Sequence, residues 1–474
     1  MCSENLILKK YFYHATLLLL FCMAAHPALA QLEYLTPVSV QVNDSNSLEG
    51  VLLLTTRDNH PRYGAPLQYT SSLQIVDPAQ PFPPIFFANA PPGSADLVGK
   101  GLFQDFRFQD ATRQLTFFMG MPGKKGEKKS MYLICDTNFA VLDTFTGGGS
   151  ITGHGFQIND KEERLYLANT DTLLDISSYT GYPGDTDIVV ATQDIRIMDK
   201  NGNLLFSWNP LRNIPYSDSR KSYRSIGERN PFFKGFNWSH VTSVSFTHDG
   251  NIAYSYRFIG VGKINRQTGM LMWKLGGKTP TIAVPPGGEY LDQHDFEEIA
   301  PDTFSVFSNG NEETPSSIIL YHLDEKNKKA DLVKVIKPSP DVYSTHAGNY
   351  EREENGLHII NYGNNASLED KQKSFEIVNE KDEAVAEYFL PSLNHAFKAH
   401  LVQSWKPLRP VILAEGDKLS VSGMQTSVIW YQLKSDKVIP VSSEIIFTPK
   451  SAGVYVAATQ TGFGWLVTKP YAFK

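Results

Sequence analysis

The sequence predicts an all-β protein: a six-bladed β-propeller followed by a small C-terminal Ig-like β-sandwich. Three observations predict it. Strand-like segments recur throughout and are separated by Asn-Gly, Thr-Gly and Asp-Gly turns, which is hairpin text. A marked position returns at an interval near fifty residues. The composition, with Gly 35, Pro 28, Tyr 22 and Phe 28 in 474 residues, favours many short strands over long helices.

Residues 1–30 read as a secretory signal peptide. Lys9 and Lys10 precede an apolar stretch from Ala15 to Ala25, and Ala28-Leu29-Ala30 supplies the small residues a signal peptidase needs before Gln31. Cys22 raises a lipoprotein alternative, which the bulky Phe21 in front of it disfavours. No later segment approaches the apolar length of a membrane helix, so no integral membrane segment is expected. Cleavage leaves Cys135 as the sole cysteine, so the core is expected to hold without an internal disulfide. A net charge of -6 does not support a chain-wide attraction to nucleic acid.

Residues 31–47 form an N-terminal segment, and the repeat fills 48–408. Its units open at Ser72, Met131, Ile195, Val261, Ile318 and Phe375. The second half of each unit carries a sharper mark, at Asp105, His154, His240, His294, His346 and His395. Successive intervals are 49, 86, 54, 52 and 49 residues, the long one holding an insertion from Asn209 to Phe236. Such a period with about four strands per unit predicts a propeller. The early strand from Gly50 to Thr56 is expected to pair with the last unit and close the ring, which removes two open edges. Residues 409–474 lack the histidine mark and read as the sandwich.

The innermost strands of a propeller converge on its axis, so His154, His240, His294, His346 and His395 are expected to meet at one mouth. They are five of only 12 histidines. A ring of imidazoles permits metal binding, general acid–base work, or nucleophilic transfer through a covalent histidine intermediate. Carboxylates beside them are few apart from Asp105 and Asp295, so a hard-cation site is the weakest of these, and no metal or cofactor is expected. Arg257, one strand beyond His240, is suited to a tetrahedral oxyanion because a guanidinium binds it in bidentate fashion. The insertion adds Arg212, Arg220, Lys221, Arg224, Arg229 and Lys234 against Asp218 and Glu228. That excess suits anion gathering at the mouth, or a solvated loop. Asn237-Trp238-Ser239 also fits a glycan acceptor pattern.

The run Trp238-Ser239-His240-Val241-Thr242-Ser243-Val244, the strand with Arg257, Gly262 to Gly269 with Trp273-Lys274-Leu275-Gly276-Gly277, Gln293-His294-Asp295 and Ser308-Asn309-Gly310-Asn311 resemble the bacterial arylsulfate sulfotransferases. Gly153-His154-Gly155-Phe156 fits as well, and the resemblance covers roughly residues 70 to 405. It implies a secreted or periplasmic six-bladed propeller that moves a sulfuryl group from a phenolic sulfate ester to a phenol in a ping-pong reaction. It further implies His294 as the nucleophile, Arg257 and His154 as holders of the sulfuryl oxygens, and His240 as an oxygen contact or proton-transfer group. Thr242, His346, His395, Tyr256 and Asp295 complete the candidate substrate-binding set. Thr242 stands where the family commonly carries an asparagine, and Tyr256, Phe258, Phe296 and Tyr290 are candidate aromatic walls. The rival readings are a propeller that binds sulfated or other anionic ligands without turnover and, third, a metal- or quinone-dependent oxidoreductase.

Overall fold

The Gly-turn hairpins build antiparallel meanders in a computed structural model of the chain. It describes residues 32, 35–58, 70–89, 102–122, 128–181, 183–221, 236–365, 371–392, 394–423, 427–435 and 438–474. The expected signal peptide, and Arg224, Glu228, Arg229 and Lys234 of the insertion, lie outside them.

The first meander runs through Leu102–Gln109, Gln114–Pro122, Lys128–Cys135 and Val141–Phe145. The second uses Ile151–Ile158, Arg164–Leu174, Ile188–Met198 and Leu204–Trp208, and the third Val241–Phe246, Ile252–Tyr256, Gly260–Ile264 and Leu271–Leu275. The fourth comprises Asp295–Ala300, Thr303–Ser308, Ser317–Asp324 and Lys329–Ile336. The fifth comprises Asn349–Arg352, His358–Asn361, Lys371–Val378 and Ala384–Pro391. Ser39–Val42, from the expected N-terminal segment, pairs with the outer strand of the fifth.

A nine-stranded sheet completes the arrangement. Its inner strand, Asn394–Val402, pairs with Val51–Asp58, which pairs with Thr70–Val76 and then Phe86–Asn89. The early strand therefore pairs with the last repeat strand, as its lack of a unit of its own suggested. Each inner strand packs on the next, from Leu102–Gln109 through the five meanders to Asn394–Val402, which packs back on Leu102–Gln109. The result is an all-β, propeller-like arrangement.

The C-terminal strands join the nine-stranded sheet, where Gly464–Val467 pairs with Phe86–Asn89, followed by Gly453–Thr461, Val428–Leu433 and Val438–Ser442, while Ile412–Glu415 and Lys418–Val421 form a separate two-stranded sheet packed against them. The physical reason is that the outer strand Phe86–Asn89 would otherwise present a bare edge.

Apolar residues alternate along the strands and fill the gaps between neighbouring sheets. Phe118, Tyr132 and Phe145 meet Phe156 and Tyr166 between the first and second. Trp208 and Leu167 meet Trp238 and Tyr254 between the second and third. Trp273 and Val261 meet Phe296 and Tyr321 between the third and fourth. Leu53, Leu73 and Phe86 meet Phe106 and Phe117 between the nine-stranded sheet and the first.

Candidate active site

Irregular pairing occurs at or beside four of the marked positions, Asp105, His154, His240 and His395. The register shifts between Gln104 and Arg107, across the hairpin face of Gly153 to Gly155, between Val241 and Ser243, and beside Phe397. Such bulges re-aim side chains out of the pleat and toward the axis. His240 itself has φ +50, an uncommon conformation for a residue with a Cβ.

The five histidines converge. The ring of His154 lies 6.3 Å from that of His240 and 5.8 Å from that of His294, and His346 lies 5.7 Å from His395. His346 acts electrostatically on His154, His240, His294 and His395, which ties the two groups together. Phe397 sits among them, 5.7 Å from His154 and 5.9 Å from His294, with the Arg57 guanidinium 4.5 Å over its ring.

His294 is almost fully buried, and its Nδ1 lies 2.8 Å from the Gly348 carbonyl oxygen. A carbonyl only accepts, so Nδ1–H donates and Nε2 is left unprotonated. Burial, with His154 and Lys398 beside it, holds His294 well below the ordinary histidine range. Burial likewise pulls His154 down to about 4, helped by Lys398 and Arg57, and His240 to about 3, helped by His154 and Arg257. All three are therefore neutral near pH 7.

Gly348 has φ +99, and a Cβ there would stand 2.6 Å from the Phe307 ring. Gly348→Ala is expected to displace the carbonyl that orients His294. The expected cost is about 1–3 kcal/mol of stability together with lost activity, read by thermal unfolding and turnover. An alanine variant with wild-type turnover would show that this carbonyl does not set the ring.

Arg257 follows the strand Ile252–Tyr256, and its backbone N–H donates to the His240 carbonyl at 2.8 Å. Its Nη2 donates to Asp292 at 2.5 Å and to the Thr345 carbonyl at 3.3 Å, while its buried Nε has no hydrogen-bond partner among the described residues. Asp292 also pairs with Arg220. The start of the insertion is fastened by the buried pair Lys274 and Asp218, and Ser219 donates to the Trp238 carbonyl at 2.7 Å. This brings Arg220 and Lys221 beside Phe258, whose ring is 5.5 Å from His240. Two insertion cations thus reach the site.

Other candidates lie elsewhere. Thr242 is buried and bonds Ser255 Oγ at 2.8 Å inside the third meander, and Tyr256 donates to the Gln193 carbonyl at 2.8 Å in the core. Phe296 stacks on Phe304, and Tyr290 donates to the Leu275 carbonyl at 2.5 Å, so of the expected aromatic walls only Phe258 touches a histidine ring of the cluster. Asp295 is 2% exposed and belongs to an ionic layer with Lys398 and Asp105, its Oδ1 3.7 Å from Lys398 Nζ. Burial and the nearby Glu297 push its carboxyl up. Asp105 goes the other way, to about 2: burial pushes it up, but Arg107 and Lys398 outweigh that.

Sequence reasoning missed Arg57, Phe397, Asp292 and the role of Asn237. Phe397 was within reach, since it lies two residues after a marked histidine. Asn237 carried a glycan acceptor pattern, but its amide is engaged: Nδ2 lies 2.8 Å from His240 Nδ1. Among the described residues no group of three or more His, Cys, Asp or Glu is arranged to hold a metal ion, and no helix is long and apolar enough to cross a membrane.

Histidine rings and an arginine thus meet where the inner strands of the propeller-like arrangement converge. The chain belongs to the arylsulfotransferase (ASST) family, whose model matches residues 127–382. At the level of that family it is a sulfotransferase with aryl donor and acceptor substrates. No curated protein matches it. Among solved structures it is similar to the periplasmic gluconolactonase PpgL of Pseudomonas aeruginosa, at 10% identity over 84% of this chain and 98% of that one, with a TM-score of 0.33. It is also similar to the Cps50 (Swd1) β-propeller domain of Myceliophteria thermophila, at 8% identity over 82% and 97%, with a TM-score of 0.37.

Proposed function

We propose that the protein is an exported, periplasmic or secreted arylsulfate sulfotransferase, with a six-bladed ring whose sixth blade is Asn394–Val402, Val51–Asp58, Thr70–Val76 and Phe86–Asn89. The observation that carries the activity is the His294 tautomer: Nδ1–H is committed to Gly348, so the Nε2 lone pair is available as a nucleophile. Arg257 and His154 hold the sulfuryl oxygens. Nε2 attacks sulfur as the bond to the aryl oxygen breaks, and the electron pair leaves on a phenoxide that takes a proton from water. The sulfo-histidine then meets a second phenol that has released its proton to water. The oxygen of that phenoxide attacks sulfur, the sulfur–nitrogen bond breaks, and the pair returns to Nε2. Donor and acceptor use one pocket in turn, so kinetics are ping-pong.

The test is incubation with 4-nitrophenyl sulfate and phenol, followed by intact mass of the quenched protein. Release of 4-nitrophenol with one sulfuryl adduct is the expected result. An inert protein that still binds the aryl sulfate would favour the non-catalytic anion-binding reading. The acid side of the kcat/KM profile is expected to fall well below the usual histidine range, because burial and the neighbouring His154 and Lys398 keep His294 in its neutral, reactive form there. A fall centred at about 6.5 would mean that an ordinary, solvated histidine governs the reaction.

A further inference from the structure

We propose that Asn237 is a positioning residue that fixes His240 as its Nε2–H tautomer, making it a hydrogen-bond donor to the transferred group and removing it as a proton carrier. Two contacts between the same pair of residues carry this. The Asn237 Oδ1 accepts the His240 backbone N–H at 3.1 Å, and the Asn237 Nδ2 lies 2.8 Å from His240 Nδ1. A backbone N–H can only donate, so the oxygen of the amide is assigned by that bond and the NH2 must face the imidazole. An NH2 can only donate in turn, so Nδ1 carries the lone pair and the proton of the neutral ring sits on Nε2.

The two central rings are thereby set in opposite senses. His294 is held through Nδ1–H with Nε2 bare, and His240 is held through bare Nδ1 with Nε2–H. A bare nitrogen suits attack on sulfur, and an N–H suits the negative oxygens that gather charge in the transition state. The groups acting on His240 are His154, Arg257, His346 and Lys221, each neutral or cationic, so a second proton on the ring meets repulsion. Asn237 itself is held at a short strand, Phe236–Asn237, that pairs with Ile188–Met198.

The kinetic part of this inference rests on the transferase reading, whereas its tautomer part needs no substrate. The two-bond nitrogen–proton spectrum of histidine-labelled protein, with His240 assigned from a His240→Gln variant, is expected to show Nε2 protonated and Nδ1 bare. Asn237→Asp keeps the shape and the backbone bond but offers a carboxylate to the ring. It is expected to move the proton to Nδ1 and to lower kcat by roughly 10²-fold, with KM and melting temperature little changed. His240→Gln restores an N–H donor and is expected to keep far more activity than His240→Ala. Protonated Nδ1 in the wild type overturns the proposal. So does an Asn237→Asp variant as fast as or faster than wild type, since an Asp–His pair would assist a proton carrier. An inert wild type with Nε2–H on His240 counts for the clamp and against the transferase.

Discussion

Exchange of His294 for alanine is expected to abolish the sulfuryl adduct and to lower kcat by roughly 10⁶-fold, as removal of a covalent nucleophile does elsewhere. The size follows from what is lost. Arg257, His154 and His240 still collect the anion, so binding of 4-nitrophenyl sulfate is expected to persist within about tenfold. The imidazole whose Nδ1 is tied to the Gly348 carbonyl and whose Nε2 is left bare is gone, and in the proposed reaction transfer must then occur directly between two phenolic oxygens. Imidazole added to the buffer is expected to restore part of the turnover through the vacated space. If the alanine variant still gains an adduct, another side chain is the nucleophile. A variant that loses aryl sulfate binding in proportion to turnover would make His294 a ligand-holding group only.

The second large effect concerns stability. Lys398 is 1% exposed and stands between two carboxylates, 3.7 Å from Asp105 and 3.7 Å from Asp295, the three residues lying on three different inner strands. Arg107 extends the layer, donating to Asp105 at 2.8 Å and to Glu297 at 3.4 Å. Lys398→Met keeps the length of the side chain and removes its charge. Breaking such a buried group is expected to cost about 3–5 kcal/mol, because two carboxylates lose their shared cation. The cost should depend on pH with a definite sign. Burial already raises Asp295 above its unfolded value, and loss of Lys398 raises it further. A group with a raised folded pKa keeps its contribution while protonated and loses it as pH rises through that value. The deficit is therefore expected to be smaller at about pH 5 than at about pH 8.5, measured by urea unfolding at both. Asp105, already far down with Arg107 bonded to it, stays ionised across that window. A deficit that shrinks at alkaline pH would rule this account out.

The repeat was legible because hairpin text and histidine spacing are local signals, and strands of one meander are neighbours in sequence. The convergence of five histidines followed from that period, since one place in each unit maps to one place around the axis. What the period does not encode is the direction of each side chain. Thr242 and Tyr256 occupy marked stretches yet point into a meander, where Ser255 and the Gln193 carbonyl take up their hydroxyls. Asp295 follows His294 directly, and alternation along an extended strand sends the two side chains to opposite sides. Arg57 carries no local signal at all, because its place beside Phe397 depends on pairing across more than three hundred residues. The attachment of the C-terminal strands to Phe86–Asn89 was not legible for a related reason: strand text gives the number of strands but not the edge that accepts them.

The pairing of Val51–Asp58 with Asn394–Val402 also sets an order of events. Arg57 lies opposite His395 in that ladder, so one cation and one imidazole of the mouth come from the two ends of the propeller-like ring. During synthesis the early strand must wait, with one side of its ladder open, until the last inner strand arrives. Such a contact is slow to form, since a long loop must close before any bond rewards it. The mouth is thus assembled by the same step that seals the ring, and a chain caught before that step has neither a complete binding surface nor a protected edge.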